Sequence, residues 1–314
     1  MRGSCPWWSI KSVFAWSIGS HDGVVLHTNK NLDWLSSAQM TRSAMSVVAI
    51  LFAMVASAAH SAPPCHGVSV TFDEEFDTFA WSPTGSQRWM TRFPYGGTAQ
   101  RTLTAQEDEY YSDASVGVDP FRLRDGLLDI TAALGPNRGG KPYTSGLITT
   151  YRSFKQLYGY FEMRAKLPTG PGLWPAFWLL PADNSWPPEI DIFEVLGKDP
   201  TTLFVSVHTR ETGRHTSITT PVHTADLSQD FHVYAVDWEP DTVTWYLDDH
   251  EVAQMPTPGD MHKPMYLLVN LAVGAKDSWP GPPDDRTKFP VHMLIDWIRV
   301  YASPDPANEW GTGR

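Results

Sequence analysis

The sequence predicts an all-β fold, a β-sandwich of two antiparallel sheets, and three observations support this prediction. Short runs rich in Val, Ile, Tyr, Phe and Trp recur about every ten residues, clusters of Pro, Gly, Asn and Asp separate them, and no window sustains a helical period. Strands that follow one another without intervening helices pair antiparallel in sandwiches and barrels. With 314 residues, of which 42% are hydrophobic, the chain can bury a full core in one domain.

The first expected element lies before this domain. Residues 40–58 have the pattern of a secretory signal peptide: Arg42, an apolar run over Val47–Val55, and an Ala-x-Ala step at Ala56–Ala58. The apolar run is too short for a permanent transmembrane helix, and a buried helix of the domain is the alternative interpretation. We therefore expect a mature protein that is secreted or periplasmic and is not held in a membrane.

Residues 1–39 precede this pattern, whereas signal peptides stand at the start of a chain. We interpret these residues as a non-conserved leader or the product of a mis-called start, with Met40 or Met45 as the preferred start. Removal of residues 1–58 leaves 20 basic and 33 acidic residues, a net charge of −13, against −11 for the whole chain. Removal of this segment therefore makes the net charge more negative.

The charge balance and the cysteine count exclude several classes of partner and fold. The chain has no run of Lys or Arg, which argues against a nucleic acid or an anionic membrane surface as a partner. Cys5 and Cys65 are too few for a disulfide framework or a zinc site. We expect a monomer that binds a neutral polymer or a small molecule.

Residues 59–301 are predicted to form one domain, because neither a linker nor an internal repeat interrupts them. The tail, residues 302–314, contains two Pro and two Gly and is expected to be flexible. The clearest predicted strands are Leu127–Ala132, Tyr158–Ala165, Leu203–His208, Phe231–Trp238, Val243–Asp248, Tyr266–Val273 and Met293–Tyr301.

The segment Glu189-Ile-Asp-Ile-Phe-Glu194 concentrates the candidate chemistry. In a strand, Glu189 and Asp191 share one face, but regular alternation would then drive Glu194 into the core. An unpaired carboxylate there is very costly. A β-bulge at Ile192–Phe193 removes this conflict, because one extra residue returns Glu194 to the face of the other two acids.

With the bulge, the two Glu lie four strand positions apart, so their Cα atoms are about 12–13 Å from each other. Their carboxyl groups then approach to about 5–6 Å, close to the separation in retaining glycosidases and below that in inverting ones. Three acids on one face cannot all be ionised at neutral pH, so at least one pKa is expected to be raised. The alternative is a solvated acidic strand face, and the context of the motif decides between them.

The motif and its surroundings resemble glycoside hydrolase family 16, in its laminarinase-like branch. The stretches Gly159-Tyr-Phe-Glu-Met-Arg-Ala-Lys and Gly172-Leu-Trp-Pro-Ala-Phe-Trp-Leu-Leu-Pro181 carry this resemblance together with the acidic motif, and Ile295-Asp-Trp-Ile-Arg-Val-Tyr301 extends it. It covers nearly all of residues 59–301. Trp89–Gly97 and the Trp-Pro-Pro before Glu189 look most like bacterial endo-β-1,3-1,4-glycanases that depolymerise succinoglycan-type exopolysaccharides.

The resemblance implies a β-jelly-roll sandwich with a concave cleft, and retaining hydrolysis of internal β-1,3 or β-1,4 bonds of a polysaccharide. Glu189 matches the nucleophile, Asp191 the assisting acid, and Glu194 the general acid/base. No cofactor is required by this chemistry. One departure is Gln106, where relatives often carry Asn.

Strand parity and the resemblance together suggest the substrate-binding residues. Alternation places Trp174 and Trp178 on one face, where indole rings either stack on sugars or fill the core. His208 and Asn270 lie on the corresponding faces of their own strands, although a lone strand His is often a structural residue. Further candidates at the rim of the cleft are Trp279, Arg92 and Tyr95.

The resemblance also implies a structural Ca²⁺ far from the cleft. Many family members hold one near the first and last strands, and Glu75 and Asp296 supply oxygen ligands of the type that Ca²⁺ prefers. The other interpretation is that both are ordinary surface acids.

Two other functions remain open at this point. A non-catalytic carbohydrate-binding module of the same fold would lack at least one of the three acids, and all three are present. A transglycosylase would use the same acids but pass the glycosyl group to a sugar instead of water. Serine hydrolase, zinc protease and nucleotide-dependent functions have no supporting motif in the sequence.

Overall fold

The structure is a computed structural model that describes residues 69–95, 101 and 104–303. All of the described residues belong to one compact unit. The predicted leader, the signal peptide, both cysteines and tail residues 304–314 lie outside the described residues.

The described chain is built from β-strands and two short 3₁₀ turns, Ala114–Val116 and Gly259–Met261. In chain order the strands are β1 (Val70–Glu74), β2 (Trp81–Ser82), β3 (Trp89–Met90), β4 (Glu109–Tyr111), β5 (Phe121–Arg124), β6 (Leu127–Leu134), β7 (Tyr143–Ser145), β8 (Leu147–Thr149), β9 (Gly159–Lys166), β10 (Leu173–Pro181), β11 (Glu189–Val195), β12 (Thr202–Thr209), β13 (Thr216–His223), β14 (His232–Trp238), β15 (Thr242–Leu247), β16 (His250–Pro256), β17 (Met265–Val273) and β18 (Val291–Tyr301).

The seven clearest predicted strands are all present, with ends within two residues of those predicted. The differences are at strand ends: β6, β12, β17 and β18 extend past the predicted runs, β9 and β15 are shifted by one residue, and β14 begins one residue later. Among the described residues, no helix has the length and apolar character needed to cross a membrane.

The strands form two sheets. The order in the ten-stranded sheet is β16-β15-β14-β9-β18-β6-β7-β4, with β1 paired to β18 and β5 to β6. The order in the eight-stranded sheet is β13-β12-β11-β10-β17-β8-β3-β2. The prediction of an all-β sandwich is confirmed, but its antiparallel character is not complete, because the short pairs β2–β3 and β4–β7 are parallel.

One large apolar core lies along alternate residues of the strands in both sheets. On β10, Phe177 and Leu179 are buried in this core, whereas the indoles of Trp174 and Trp178 belong to the opposite face. On the other sheet, Trp238 and Trp245 are fully buried in the same core. Burying one such side chain contributes about 1.5–3 kcal/mol or more. The core thereby fixes which residues of β10, β11, β12 and β17 remain on the outer face of the eight-stranded sheet.

Candidate active site

The bulge predicted in the acidic motif is present on β11. Opposite β12, Asp191 pairs with Ser206 and Glu194 with Phe204, so two residues of β11 face one residue of β12. The same shift occurs against β10, where Trp178 pairs with Asp191 and Ala176 with Glu194. The side chains of both bulge residues, Ile192 and Phe193, are buried in the core. Core packing therefore holds the bulge, and the bulge returns Glu194 to the outer face.

The three acids line one cavity of about 640 Å³ on this face. Glu189 lies opposite His208 and Glu194 opposite Phe204, four residues away on β12. At about 3.3 Å per residue this places their Cα atoms about 13 Å apart, with both side chains directed into the same cavity.

Among the described residues, Glu194 accepts a direct hydrogen bond from Trp174. Nε1 of Trp174, on β10, donates a 3.0 Å hydrogen bond to Oε1 of Glu194. Burial and the charge of Glu189 raise the pKa of Glu194 to about 8, although the indole hydrogen bond opposes the shift. At neutral pH this carboxyl group therefore carries a proton that it can donate.

Glu189 receives a hydrogen bond from a loop residue. Nε1 of Trp186, three residues before it, donates to its Oε2 at 2.5 Å. Burial and the charge of Asp191 raise the pKa of Glu189, whereas His208 and the indole of Trp186 favour its ionised form. Glu189 thus lies between the like charge of Asp191 and two groups that favour its carboxylate form, the indole donor of Trp186 and the positive charge of His208.

Asp191 is the most deeply buried of the three acids, at 2% exposure. Its backbone carbonyl accepts a 2.9 Å hydrogen bond from Nε1 of Trp245, which reaches it from the opposite sheet. Its Oδ2 lies 3.2 Å from Nε2 of His208 on β12. Burial and the charge of Glu194 raise the pKa of Asp191, and His208 opposes that shift. Asp191 is therefore fixed by the fold on one side and by His208 on the other.

Most of the predicted binding residues also line the cavity. Trp174, Trp279 and Tyr95 reach it from different segments, and His208 lies beside the acids. Trp279 is 40% exposed. Its ring packs edge-on against Trp174 at 5.7 Å and Phe204 at 4.8 Å between centroids. Arg92 is not among the residues that line this cavity, so the structure does not support its predicted position at the rim.

Trp178 and Asn270 form the floor of the cavity and are almost fully buried. Nε1 of Trp178 donates to Oδ1 of Asn270 at 2.8 Å, and Nδ2 of Asn270 donates to the hydroxyl of Tyr111 at 2.9 Å. Their polar groups are therefore engaged mainly with each other. Gln106, where relatives often carry Asn, lines the same cavity.

Two residues of the site were missed by the sequence analysis, Trp186 and His215. Trp186 is 48% exposed and was seen only as part of the Trp-Pro-Pro stretch. His215 precedes β13 and its Nε2 lies 2.9 Å from Nδ1 of His208. The β12–β13 hairpin could have identified His215. The two strands pair on either side of a short turn, so His215, just after the turn, lies beside His208, just before it.

The side chains predicted to hold Ca²⁺ do not fit such a site. Asp296 lies 2.5 Å from Nη1 of Arg164, and Glu75 lies 2.6 Å from Nη2 of Arg299. Each carboxylate is thus neutralised by its own guanidinium, whose positive charge opposes a cation. Within the described ranges, the grouping of three side chains with metal-binding atoms is Glu189, Asp191 and His208, whose ligand atoms lie within 4.8 Å of one another.

Comparison with known proteins identifies the family. Residues 99–299 match Glycosyl hydrolases family 16. The chain belongs to this family. Two curated relatives come from Rhizobium meliloti (strain 1021). Endo-1,3-1,4-beta-glycanase ExsH is 44% identical over 245 residues, which cover 75% of this chain and 52% of that protein. Endo-1,3-1,4-beta-glycanase EglC is 42% identical over 242 residues, which cover 74% and 51%.

This family 16 chain therefore spans about half the length of these two relatives. Among solved structures, it is similar to the laminarinase catalytic domain from Thermotoga maritima MSB8, which was crystallised with cetyltrimethylammonium bromide. That domain is 32% identical with a TM-score of 0.66, and the match covers 76% of this chain and 99% of that one. The likeness confirms the family resemblance and the jelly-roll architecture that the sequence analysis predicted.

Proposed function

We propose that this family 16 protein is an endo-acting retaining β-glycanase that hydrolyses internal β-1,3 or β-1,4 glucosidic bonds of a polysaccharide. The observation that carries the proposal is the arrangement on β11, where Glu189 and Glu194 face one cavity in different environments. Burial and the charge of Glu189 raise the pKa of Glu194 to about 8. Burial and the charge of Asp191 also raise the pKa of Glu189, but the positive charge of His208 and the indole of Trp186 oppose that shift and favour the carboxylate form. A proton donor and a nucleophile on one strand are the requirements of a double-displacement mechanism.

In the first step, Glu194 donates its proton to the glycosidic oxygen while a carboxylate oxygen of Glu189 attacks the anomeric carbon. The bond to the leaving sugar breaks, and a glycosyl ester on Glu189 forms. In the second step, Glu194, now ionised, removes a proton from water. The hydroxyl group attacks the anomeric carbon, the ester breaks, and Glu189 returns to its carboxylate form with net retention of configuration.

Asp191 assists by forming the ion pair that holds the His208 cation beside Glu189, with 3.2 Å between Oδ2 of Asp191 and Nε2 of His208. The ionisation of the two carboxyl groups is coupled, and the positive charge of His208 favours the ionised form of both. The reaction uses these side chains alone, and we propose no cofactor for it.

The relatives and the cavity support a β-glucan or a similar exopolysaccharide as substrate. ExsH and EglC are named endo-1,3-1,4-beta-glycanases. Trp174, Trp279 and Tyr95 line the cavity, and aromatic faces pack well against the apolar faces of sugar rings. We further propose that the mature protein acts outside the cytoplasm as a monomer after removal of residues 1–58.

Azide rescue tests the two roles separately. With an activated β-glucoside donor, Glu189→Ala is expected to be inactive alone and to form an α-glycosyl azide when azide is added. Glu194→Ala is expected to form the β-glycosyl azide. Glu162→Gln is the matched control, because Glu162 lies on the ten-stranded sheet and burial raises its pKa to about 7. Activity on lichenan or laminarin that survives Glu189→Ala would contradict the proposal.

A further inference from the structure

A second histidine lies behind His208, the histidine that lines the cavity. The rings of His208 and His215 are nearly parallel, with 13° between their planes and 5.2 Å between centroids. Nδ1 of His208 and Nε2 of His215 are 2.9 Å apart. His215 also packs against the indole of Trp186, with 4.6 Å between the ring centroids.

These contacts connect the partner of Glu189 to the partner of Asp191. Trp186 donates its hydrogen bond to Glu189, and His208 contacts Asp191. His215 touches both of these partners but neither acid directly. A single exposed side chain on the β12–β13 hairpin therefore contacts the donor of the proposed nucleophile and the partner of the assisting acid.

We infer that His215 is a positioning residue for the reaction, which acts through Trp186 on Glu189 and through His208 on Asp191. The inference rests on the proposed function, because it assigns His215 a part in the same site. It concerns a residue that lies in a hairpin turn and that neither the acidic motif nor strand parity identifies.

The hairpin that carries His215 is itself held in place. The hydroxyl of Thr209 donates to Oδ1 of Asp260 at 2.6 Å, and the backbone nitrogen of Arg210 donates to Oδ2 of the same residue at 2.7 Å. Gly213, with φ of 86°, provides the left-handed conformation that the turn requires, and its nitrogen donates to the carbonyl of Arg210. These bonds limit the positions that His215 can adopt.

The direction of the hydrogen bonds follows from the charges around the pair. Burial lowers the pKa of His208, but Asp191 and Glu189 outweigh burial and raise it to about 9. Burial, the charge of His208 and Arg210 lower the pKa of His215. At neutral pH, His208 is therefore the cation. Its Nε2 forms an ion pair with Asp191, and its Nδ1 donates to the Nε2 of a neutral His215.

The charged groups that face this pair come from two elements. Asp191 and Glu189 face it from β11, and Arg210 faces it from the hairpin. On β13, the residues that follow His215 are uncharged Thr and Ser. The carboxylates of Asp260 and Glu211 are bonded to other atoms of the hairpin and the neighbouring 3₁₀ turn.

Three variants test the inference in the full chain. His215→Ala removes the ring and the acceptor, and we expect kcat on lichenan to fall about tenfold, with KM changed less than about twofold. Ionisation of both Glu194 and His208 shapes the alkaline limb of the pH–rate profile. We expect this limb to move to lower pH in His215→Ala, because His208⁺ loses its acceptor. His215→Gln restores an acceptor and is expected to return the limb towards its original pH. His223→Ala, on the exposed far end of the same strand, is the control.

Titration of His208 by NMR separates this inference from the proposed function, because it requires no activity. We expect its pKa to fall in His215→Ala and to be unchanged in His223→Ala. Two results would overturn the inference. The first is a His208 titration that is unchanged in His215→Ala. The second is a His215→Ala variant with lower kcat and a lower melting temperature but an unchanged pH profile. If the titration shifts but wild-type protein has no glycanase activity, the proposed function fails and the coupling between the histidines stands.

Discussion

Nε1 of Trp174 donates a 3.0 Å hydrogen bond to Oε1 of Glu194, so the proposed proton donor is held by an aromatic residue of the neighbouring strand. The bond favours the ionised carboxylate and therefore opposes burial and the charge of Glu189, which raise the pKa of Glu194 to about 8. Burial and the charge of Glu189 thus raise the pKa of Glu194, and the hydrogen bond from the Trp174 indole limits the rise.

Loss of this indole hydrogen bond should change the pH dependence of catalysis. Trp174→Phe keeps an aromatic ring but removes the donor, so the pKa of Glu194 rises above about 8. The alkaline limb of kcat/KM then moves to higher pH, and kcat at pH 7 falls about three- to tenfold, because the carboxyl group is a weaker acid. Trp178→Phe is the control, since Trp178 donates to Asn270. Equal shifts in both variants would contradict the assignment.

The raised pKa of Glu194 should also appear in the stability of the protein. A carboxyl group whose pKa is raised by folding binds its proton more tightly in the folded state, so its contribution is complete below about pH 4.5 and is lost as the pH rises towards about 8. Glu194→Gln cannot ionise. The melting temperature of the variant minus that of the wild type is therefore expected to become more positive between pH 5 and pH 8. Calorimetry at four or five pH values measures this difference, and a difference that shrinks over this range would be inconsistent with the buried, protonated carboxyl.

Trp245 links the core to the catalytic strand, and its removal should affect both stability and activity. Trp245→Phe leaves the buried carbonyl of Asp191 without its donor, whereas Nε1 of Trp238 has no hydrogen-bond partner among the described residues. The substitutions Trp245→Phe and Trp238→Phe remove a similar side-chain volume. We expect Trp245→Phe to lower the free energy of unfolding by about 1–3 kcal/mol more than Trp238→Phe, and to lower kcat as well. Urea titration and initial rates check the two effects, and equal losses of stability would exclude a special role for this bond.

Trp279 should affect binding more than chemistry. Its ring lines the cavity, packs against Trp174 and Phe204, and is 40% exposed. Trp279→Ala is expected to raise KM for a polysaccharide about fivefold, the scale of one aromatic contact, with kcat reduced less than about twofold. Trp297→Ala, on the ten-stranded sheet, is the control. A fall in kcat with unchanged KM would instead place Trp279 in the chemical step.

The sequence predicted the parts of the site that depend on strand periodicity. Alternation alone assigned Trp174 and Trp178 to one face, and the cost of burying Glu194 required the bulge at Ile192–Phe193, which the structure contains. These predictions succeed because a period of two residues and one apolar core determine the direction of every strand side chain.

The features that the sequence analysis did not identify depend on contacts between distant segments. The arginines that neutralise Glu75 and Asp296 come from other strands, so the pattern of acids alone suggested a cation site. Trp186 and His215 lie in loops, whose backbone has no period that relates one residue to the next. Their position beside Glu189 and His208 follows from the course of two turns.

The bulge on β11 also limits how this site can be transferred to another protein. Grafting the six residues from Glu189 to Glu194 onto a regular strand would send one acid inward, because the extra residue is accommodated by register shifts against both β10 and β12. A recipient scaffold therefore needs two neighbouring strands with matching shifts, pockets for Ile192 and Phe193, and an indole donor equivalent to Trp245. The transferable unit is this three-strand assembly rather than the acidic sequence.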